Sequence, residues 1–145
     1  MAFLFDTDAI SEVLRRRPLA SYIEWLSQIP REEQFTSAVV IGELYKGAYR
    51  APAFEVHLAN IEERVLQAVT VLPFDVATAR VFGRIRAFLE DEGLILPDAD
   101  LQIAATAIYH GLELVTGNVR HFARIPELKL NRILNQSLKS RDTRR

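Results

Sequence analysis

At 145 residues with no cysteine and a formal net charge of −1, the chain is long enough for one domain with a real core, and it has neither a disulfide framework nor thiolate chemistry. Its 49% hydrophobic and 26% charged content is ordinary for a globular protein; the charge balance excludes a generally basic nucleic-acid binder and leaves room for a local basic rim. No apolar run approaches ~18 residues, so no membrane span is expected; Asp6 and Asp8 fall where the apolar stretch of a signal peptide would have to continue, and the lack of cysteine fits a reducing cytoplasm.

Strand-like and helix-like segments alternate along the chain, which predicts an α/β protein with a mainly parallel sheet. Ala2–Phe5 reads as the first strand. It is followed by a helix over about Ala9–Arg16 that ends before Pro18, and by a second over about Leu19–Ile29 that stops at Pro30. Gln34–Thr36 is a short second strand, after which Ser37 can cap a helix carrying Val39, Val40, Glu43 and Leu44. A helix near Phe54–Gln67 leads into the β-branched strand Ala68–Leu72. Pro73 ends that strand, and Asp75 caps a long helix closed at Gly93. A helix headed by Asp100 runs to His110, with Gly111 as its C-terminal cap. Leu112–Val115 is the next strand and Leu128–Leu130 a possible edge strand. The main domain spans 1–135, and 136–145 reads as a polar, flexible tail, frayed from Lys139 to Arg145.

Three acids stand where hydrophobes are expected. Asp6 closes an apolar strand, Glu43 interrupts an apolar helix face shared with Val39 and Val40, and Asp100 lies on the stripe of Ile103, Ala104, Ala107 and Ile108. Gly42, Gly47 and Ala48 are small neighbours that would let another backbone approach Glu43. In open α/β sheets ligands bind beyond the carboxyl ends of strands, where Asp6 and Thr116 both fall. Asp6, Thr7 or Asp8 can equally cap a helix, and Asp98 either caps the next one or binds metal or water. Two carboxylates ~5 Å apart repel by roughly 3 kcal/mol at an effective dielectric of 20, so a cluster needs raised pKa values or a cation. Oxygen donors of this kind suit Mg²⁺ or Mn²⁺ and phosphoryl-transfer chemistry. Zinc is disfavoured, because His57, His110 and His121 show no ligand spacing; each reads as a surface or packing residue.

The strings Phe5-Asp-Thr-Asp-Ala-Ile-Ser-Glu12, Val40-Ile-Gly-Glu-Leu-Tyr-Lys-Gly47 and Pro97-Asp-Ala-Asp-Leu-Gln-Ile-Ala-Ala-Thr-Ala107 resemble PIN-domain nucleases. The ending Leu114-Val-Thr-Gly-Asn-Val-Arg-His-Phe122, then Ile125-Pro-Glu-Leu128, is similar to that of the VapC-type toxins of this superfamily. The resemblance implies a three-layer α/β/α fold and a Mg²⁺- or Mn²⁺-dependent endoribonuclease. It also implies that the protein is the toxin of a toxin–antitoxin pair, with a VapB-like antitoxin and a homodimer as partners. Asp6, Glu43 and Asp100 match the family's acidic positions, Asp98 an additional acid, Thr116 its hydroxyl and Asn118 its Asn or Asp. Two positions depart from the pattern: Asp8 stands where Asn is common, and Gly117 where a basic residue is common.

Cations near the acids, Arg15-Arg16-Arg17 and Arg120, could contact RNA; for the arginine run a solvated helix end is the alternative. Arg84 and Arg86 are equally ambiguous. Leu14, Tyr22, Trp25, Leu26, Tyr45 and Tyr49 are either core or a groove for partners. Two rival readings use the same residues. In one, Asp6-Thr-Asp8 opens a haloacid-dehalogenase-like phosphatase with Asp6 as nucleophile, which leaves Glu43 without a role. In the other, a PIN-like module binds RNA or protein without cutting it.

Overall fold

The apolar run Phe3-Leu-Phe5 becomes the middle strand, β1 (Phe3–Phe5), and all three of its side chains are buried. A strand buried on both faces is what a parallel sheet covered by helices requires. The computed structural model describes residues 1–143. Its five strands, β1, β2 (Gln34–Ser37), β3 (Thr70–Leu72), β4 (Glu113–Val115) and β5 (Leu130–Asn131), pair in the order β3-β2-β1-β4-β5. Every pairing is parallel. The chain steps outward from β1 through β2 to β3, then returns to lay β4 on the other side of β1. The strand order therefore reverses between β1 and β4, which opens a crevice at their carboxyl ends.

Helices flank this sheet: α1 (Thr7–Leu14), α2 (Ala20–Leu26), α3 (Ala38–Arg50), α4 (Phe54–Asn60), α5 (Leu66–Ala68), α6 (Val76–Asp91), α7 (Asp98–His110), α8 (Val119–Phe122) and α9 (Ile133–Thr143). Their ends follow the sequence signals. The Val40 N–H donates to Ser37 Oγ at 3.1 Å. Asp75 and Thr78 form a reciprocal capping box, and Gly111 ends α7 at φ 66°. The helix expected over Phe54–Gln67 is one helical run broken by a π-turn, Ile61–Val65, which turns both end residues into the core.

Beneath α1 and α2 the core is aromatic. Phe3 meets Trp25 edge-on at 5.2 Å between ring centroids, and the fully buried Tyr22 donates its hydroxyl to the Ala9 carbonyl at 2.9 Å. Tyr22 is thus core; Leu14, Trp25, Leu26 and Tyr45 are partly buried against it, whereas Tyr49 is exposed and packs on Phe54. α7 is buried almost all round, from Leu101 through Ala107.

The polar stretch after residue 135 is helical in the described residues. It lies within α9, where Leu134 and Ser137 are buried. Ser21 Oγ donates to Ser137 Oγ at 2.8 Å, and Arg141 Nη2 donates to Glu12 Oε1 at 3.2 Å. Leu134, with Ile133 and Leu138 packed beside it, and two polar clasps dock this helix; its apolar side is short and is followed by a mostly polar run, so the sequence pattern does not announce it. Arg144 and Arg145 lie outside the described residues. Among the described residues no helix is long and apolar enough to cross a membrane.

Candidate active site

The crevice is built where β1 and β4 end. The Asp6 N–H donates to the Val115 carbonyl at 3.0 Å, and Thr36 Oγ1 donates to the Phe5 carbonyl at 2.7 Å. The backbone is therefore held from both neighbouring strands just before the Asp6 side chain leaves it. Asp6 is 7% exposed. Its Oδ1 accepts the Thr7 N–H at 2.8 Å, so it does cap α1; its Oδ2 accepts the Thr116 hydroxyl at 2.8 Å. Burial, then the charge of Asp8, pushes the Asp6 carboxyl up to about 7, with Asp100 adding to the rise and the bonds from Thr7 and Thr116 opposing it.

The two departures from the family pattern meet in space. Gly117 N–H donates to Asp8 Oδ2 at 2.8 Å, and Thr116 Oγ1 lies 3.5 Å from Asp8 Oδ1. A Cβ on residue 117 would sit 2.8 Å from that Asp8 Oδ2 and 2.9 Å from Leu138 Cδ1. Glycine here makes room for the extra carboxylate and for α9.

α3 and α7 supply the other two acids. Burial and the charge of Asp100 push the Glu43 carboxyl above its ordinary value, partly offset by Thr7 and Lys46. Glu43 Oε1 and Thr7 Oγ1 are buried; Thr7 lies near enough to lower the Glu43 pKa, yet neither atom makes a hydrogen bond of ordinary geometry, which leaves Glu43 free to take a further ligand. Gly42 and Gly47 admit no close backbone: a Cβ at either would find nothing within 4 Å. Gly47 instead lines a groove of about 450 Å³ with Thr7, Ser11, Arg15, Glu43 and His57.

Asp100 Oδ2 is paired with His121 Nε2 at 2.9 Å. This corrects the reading of His121 as a surface or packing residue. The one-turn helix α8, three residues beyond Thr116, folds back to put the imidazole there; its position just past the motif Thr116-Gly-Asn118 is the only sequence signal for it.

Asp98 is not brought to this cluster. It is the first residue of α7 rather than its N-cap, since Pro97 holds the cap position with no side-chain bond. Its carboxylate is 73% exposed and is paired with Arg86 of α6, which also donates to the Leu96 carbonyl at 3.0 Å. Arg84 makes a two-bond pair with Glu127, so both ambiguous arginines of α6 are engaged elsewhere. Asn118 is exposed and meets the site through its backbone, its N–H donating to Thr116 Oγ1 at 3.0 Å. Arg15 is exposed on the rim of the groove, and Arg120 is exposed on α8.

Chemically this is a hard, oxygen-lined centre. The charges of Asp8 and Asp100 push the Asp6 carboxyl up and that of Asp100 pushes Glu43 up, Glu43 Oε1 lacks a partner, and there is no thiol in the chain. These traits fit a small hard divalent cation. Among the described residues no three acids or histidines are already drawn together tightly enough to hold one. That spacing is what mutual repulsion and the Asp100–His121 pair would impose.

Comparison with known proteins bears on the same residues. The PIN domain family profile matches residues 3–128. The chain is 34% identical over 131 residues to ribonuclease VapC2 of Haemophilus influenzae, covering 89% of this chain and 96% of that protein. It is 30% identical over 130 residues to the tRNA(fMet)-specific endonuclease VapC of Salmonella typhimurium, covering 90% and 96%. The structure of VapBC2 from Rickettsia felis, bound to a DNA fragment from its promoter, is similar with a TM-score of 0.81 and 28% identity, covering 90% of this chain and 98% of that one. The acid-lined crevice at the β1–β4 switch thus belongs to a PIN domain, and the chain is a member of the VapC-type ribonuclease toxins.

Proposed function

We propose that the protein is a metal-dependent endoribonuclease that cuts RNA phosphodiester bonds at the crevice between β1 and β4. The observation that carries this reading is the convergence of Asp6, Glu43 and Asp100 at that switch point, with Glu43 Oε1 buried and unpartnered. These three acids would hold one or two Mg²⁺ or Mn²⁺ ions. Such an ion, when bound, lowers the pKa of water and stabilises charge on the scissile phosphate and the leaving oxygen. Asp8 stands nearer this centre than Asp98, whose charge is spent on Arg86.

The remaining work is positioning. Thr116 holds Asp6 Oδ2, so the Asp6 carboxylate has one orientation. Asn118 fixes Thr116 through its backbone rather than by the side-chain contact expected from sequence. His121 fixes Asp100 Oδ2. Arg15 and Arg120 border the site as phosphate contacts for the strand. As its relatives' names suggest, a tRNA is the first substrate class to test. A VapB-like antitoxin is the expected inhibitor, as the similar Rickettsia felis structure is a VapBC complex; a homodimer in the cytoplasm is the expected assembly.

The phosphatase reading leaves Glu43 idle, and no lysine bonds to Asp6 or Asp8 among the described residues. Cleavage of total RNA by the antitoxin-free protein with Mn²⁺ or Mg²⁺ tests the proposal, beside Asp6→Asn, Asp100→Asn and an EDTA control. Discrete fragments are expected from the parent protein alone. Full cleavage by either variant would refute the assignment, and RNA binding without any cleavage would favour a non-catalytic module.

A further inference from the structure

Beyond the acid centre, α1 ends at Leu14 and the chain turns extended at Arg15, with φ −68° and ψ 154°. Pro18 disfavours a return to helix at Arg17, so three consecutive arginines are displayed on a loop, each of them exposed. α9 brings a fourth, Arg141, from the far end of the chain. These four residues alone line an open basin of about 580 Å³.

The basin is built rather than accidental. Glu12, 4% exposed, lies beneath it: its Oε1 accepts the Leu19 N–H at 2.9 Å and Arg141 Nη2 at 3.2 Å, and its Oε2 accepts Arg15 Nη1 at 3.3 Å. Arg141 also donates to the Arg17 carbonyl at 3.2 Å. One buried carboxylate thus fixes two guanidinium groups whose other N–H donors are left over. Arg16 and Arg17 have no ion pair among the described residues. Four positive charges stand against one negative charge, in a chain whose formal net charge is −1. Such a local surplus is a site for an anion with several oxygens.

Its place identifies the anion. Arg15 lines both this basin and the groove that contains Glu43, so the two concavities share a rim. α1, with its eight residues, separates Asp6 from the basin by about 12 Å along its axis, a span of a few nucleotides. We propose that the basin formed by Arg15, Arg16, Arg17 and Arg141 is a second, non-cleaving subsite that grips a backbone phosphate of the same RNA strand whose scissile bond lies at the acid centre. This rests on the endoribonuclease reading. Phosphate contacts of this kind set the position of the strand and carry no base preference of their own.

The test uses the full chain carrying Asp6→Asn, in EDTA, with anisotropy of a labelled, unstructured oligo-uridylate read across a salt series. Arg16→Ala and Arg17→Ala are added together, since these two guanidinium groups make no bond among the described residues; an unchanged melting curve checks this. Removing two phosphate contacts should flatten the slope of log K against log salt by about 1.4 and weaken binding about 25-fold at 0.1 M salt. An unchanged slope and affinity overturn the proposal. So does a variant that keeps RNA affinity while losing affinity for a poly-glutamate peptide, which would make the basin a seat for an acidic protein segment. The nuclease reading fails separately: if the parent protein cuts no RNA yet binding still depends on Arg16 and Arg17, the basin stands and the cleavage proposal falls.

Discussion

Replacing Asp6 by Asn isolates the electrostatic strain in the crevice. In the metal-free protein the Asp6 carboxyl titrates near 7 instead of 3.8. A raised acid favours the folded state while protonated, so stability is full below about pH 4, falls as pH rises from there to 7, and is flat above. A shift of that size corresponds to ~4 kcal/mol lost across the window. Asn keeps the shape and the acceptor for the Thr7 N–H, and its amide can donate to the Thr116 hydroxyl, but it carries no charge. At pH 8 in EDTA, Asp6→Asn should therefore be more stable than the parent by about 2–4 kcal/mol, raising Tm by roughly 10 °C for a domain of this size. Thermal melts of both proteins from pH 5 to 8 check this: the parent should lose stability with rising pH more steeply than the variant, in which Glu43 and Asp8 are still raised. Parallel curves, or a variant less stable at every pH, would refute the reasoning. Saturating Mn²⁺ should reverse the ranking, because it binds the parent alone.

Other consequences can be measured in the same preparations. Metal at about 100 times its Kd should stabilise the parent by about 2.7 kcal/mol, and Glu43→Gln or Asp100→Asn should lose most of that gain; equal shifts in all three would place the ion elsewhere. Glu12→Gln leaves an acceptor for Leu19 N–H but strips the charge between Arg15 and Arg141, and should cost about 2–3 kcal/mol in urea unfolding; a change under 0.5 kcal/mol would mean the clasp contributes nothing. Gly117→Ala should cost about 1–2 kcal/mol, because its Cβ would crowd Asp8 and Leu138. Asp8→Ala in the same chain should recover part of it, and strict additivity of the two changes would show that residues 8 and 117 are not coupled.

Local chemistry made much of this molecule readable. The caps at Ser37, Asp75 and Gly111 and the breaks at Pro18 and Pro30 depend on residues within a few positions, so composition and period reveal them. The three central acids were legible for a different reason: each violates the apolar pattern of its own element. The strand Ala68–Leu72 shortened to Thr70–Leu72 because helix α5 continues through Ala68. What stayed hidden lives in side-chain direction and distant pairing. Asp98 and Asp100 are two residues apart, yet they turn to different partners, Arg86 on α6 and His121 on α8. The apolar stripe of α7 singles out Asp100, but nothing local names either partner. Glu12 reads as one more polar helix residue until Arg141 arrives from 129 positions away, and α9 is concealed for the same reason.

That long-range closure also sets an order of events in synthesis. β1, made first, is completed on one flank by β2 and on the other only by β4, and the Asp6–Thr116 bond joins residues 110 apart. At 5–20 residues per second, roughly 5–20 s pass between the appearance of the first acid and of the hydroxyl that orients it. Throughout that interval the nascent chain has neither a finished sheet nor an assembled acid centre. On the proposed reading, a chain released before Asp100 would lack one of the three acids, so the capacity to cut would arise late in synthesis rather than with the first strand.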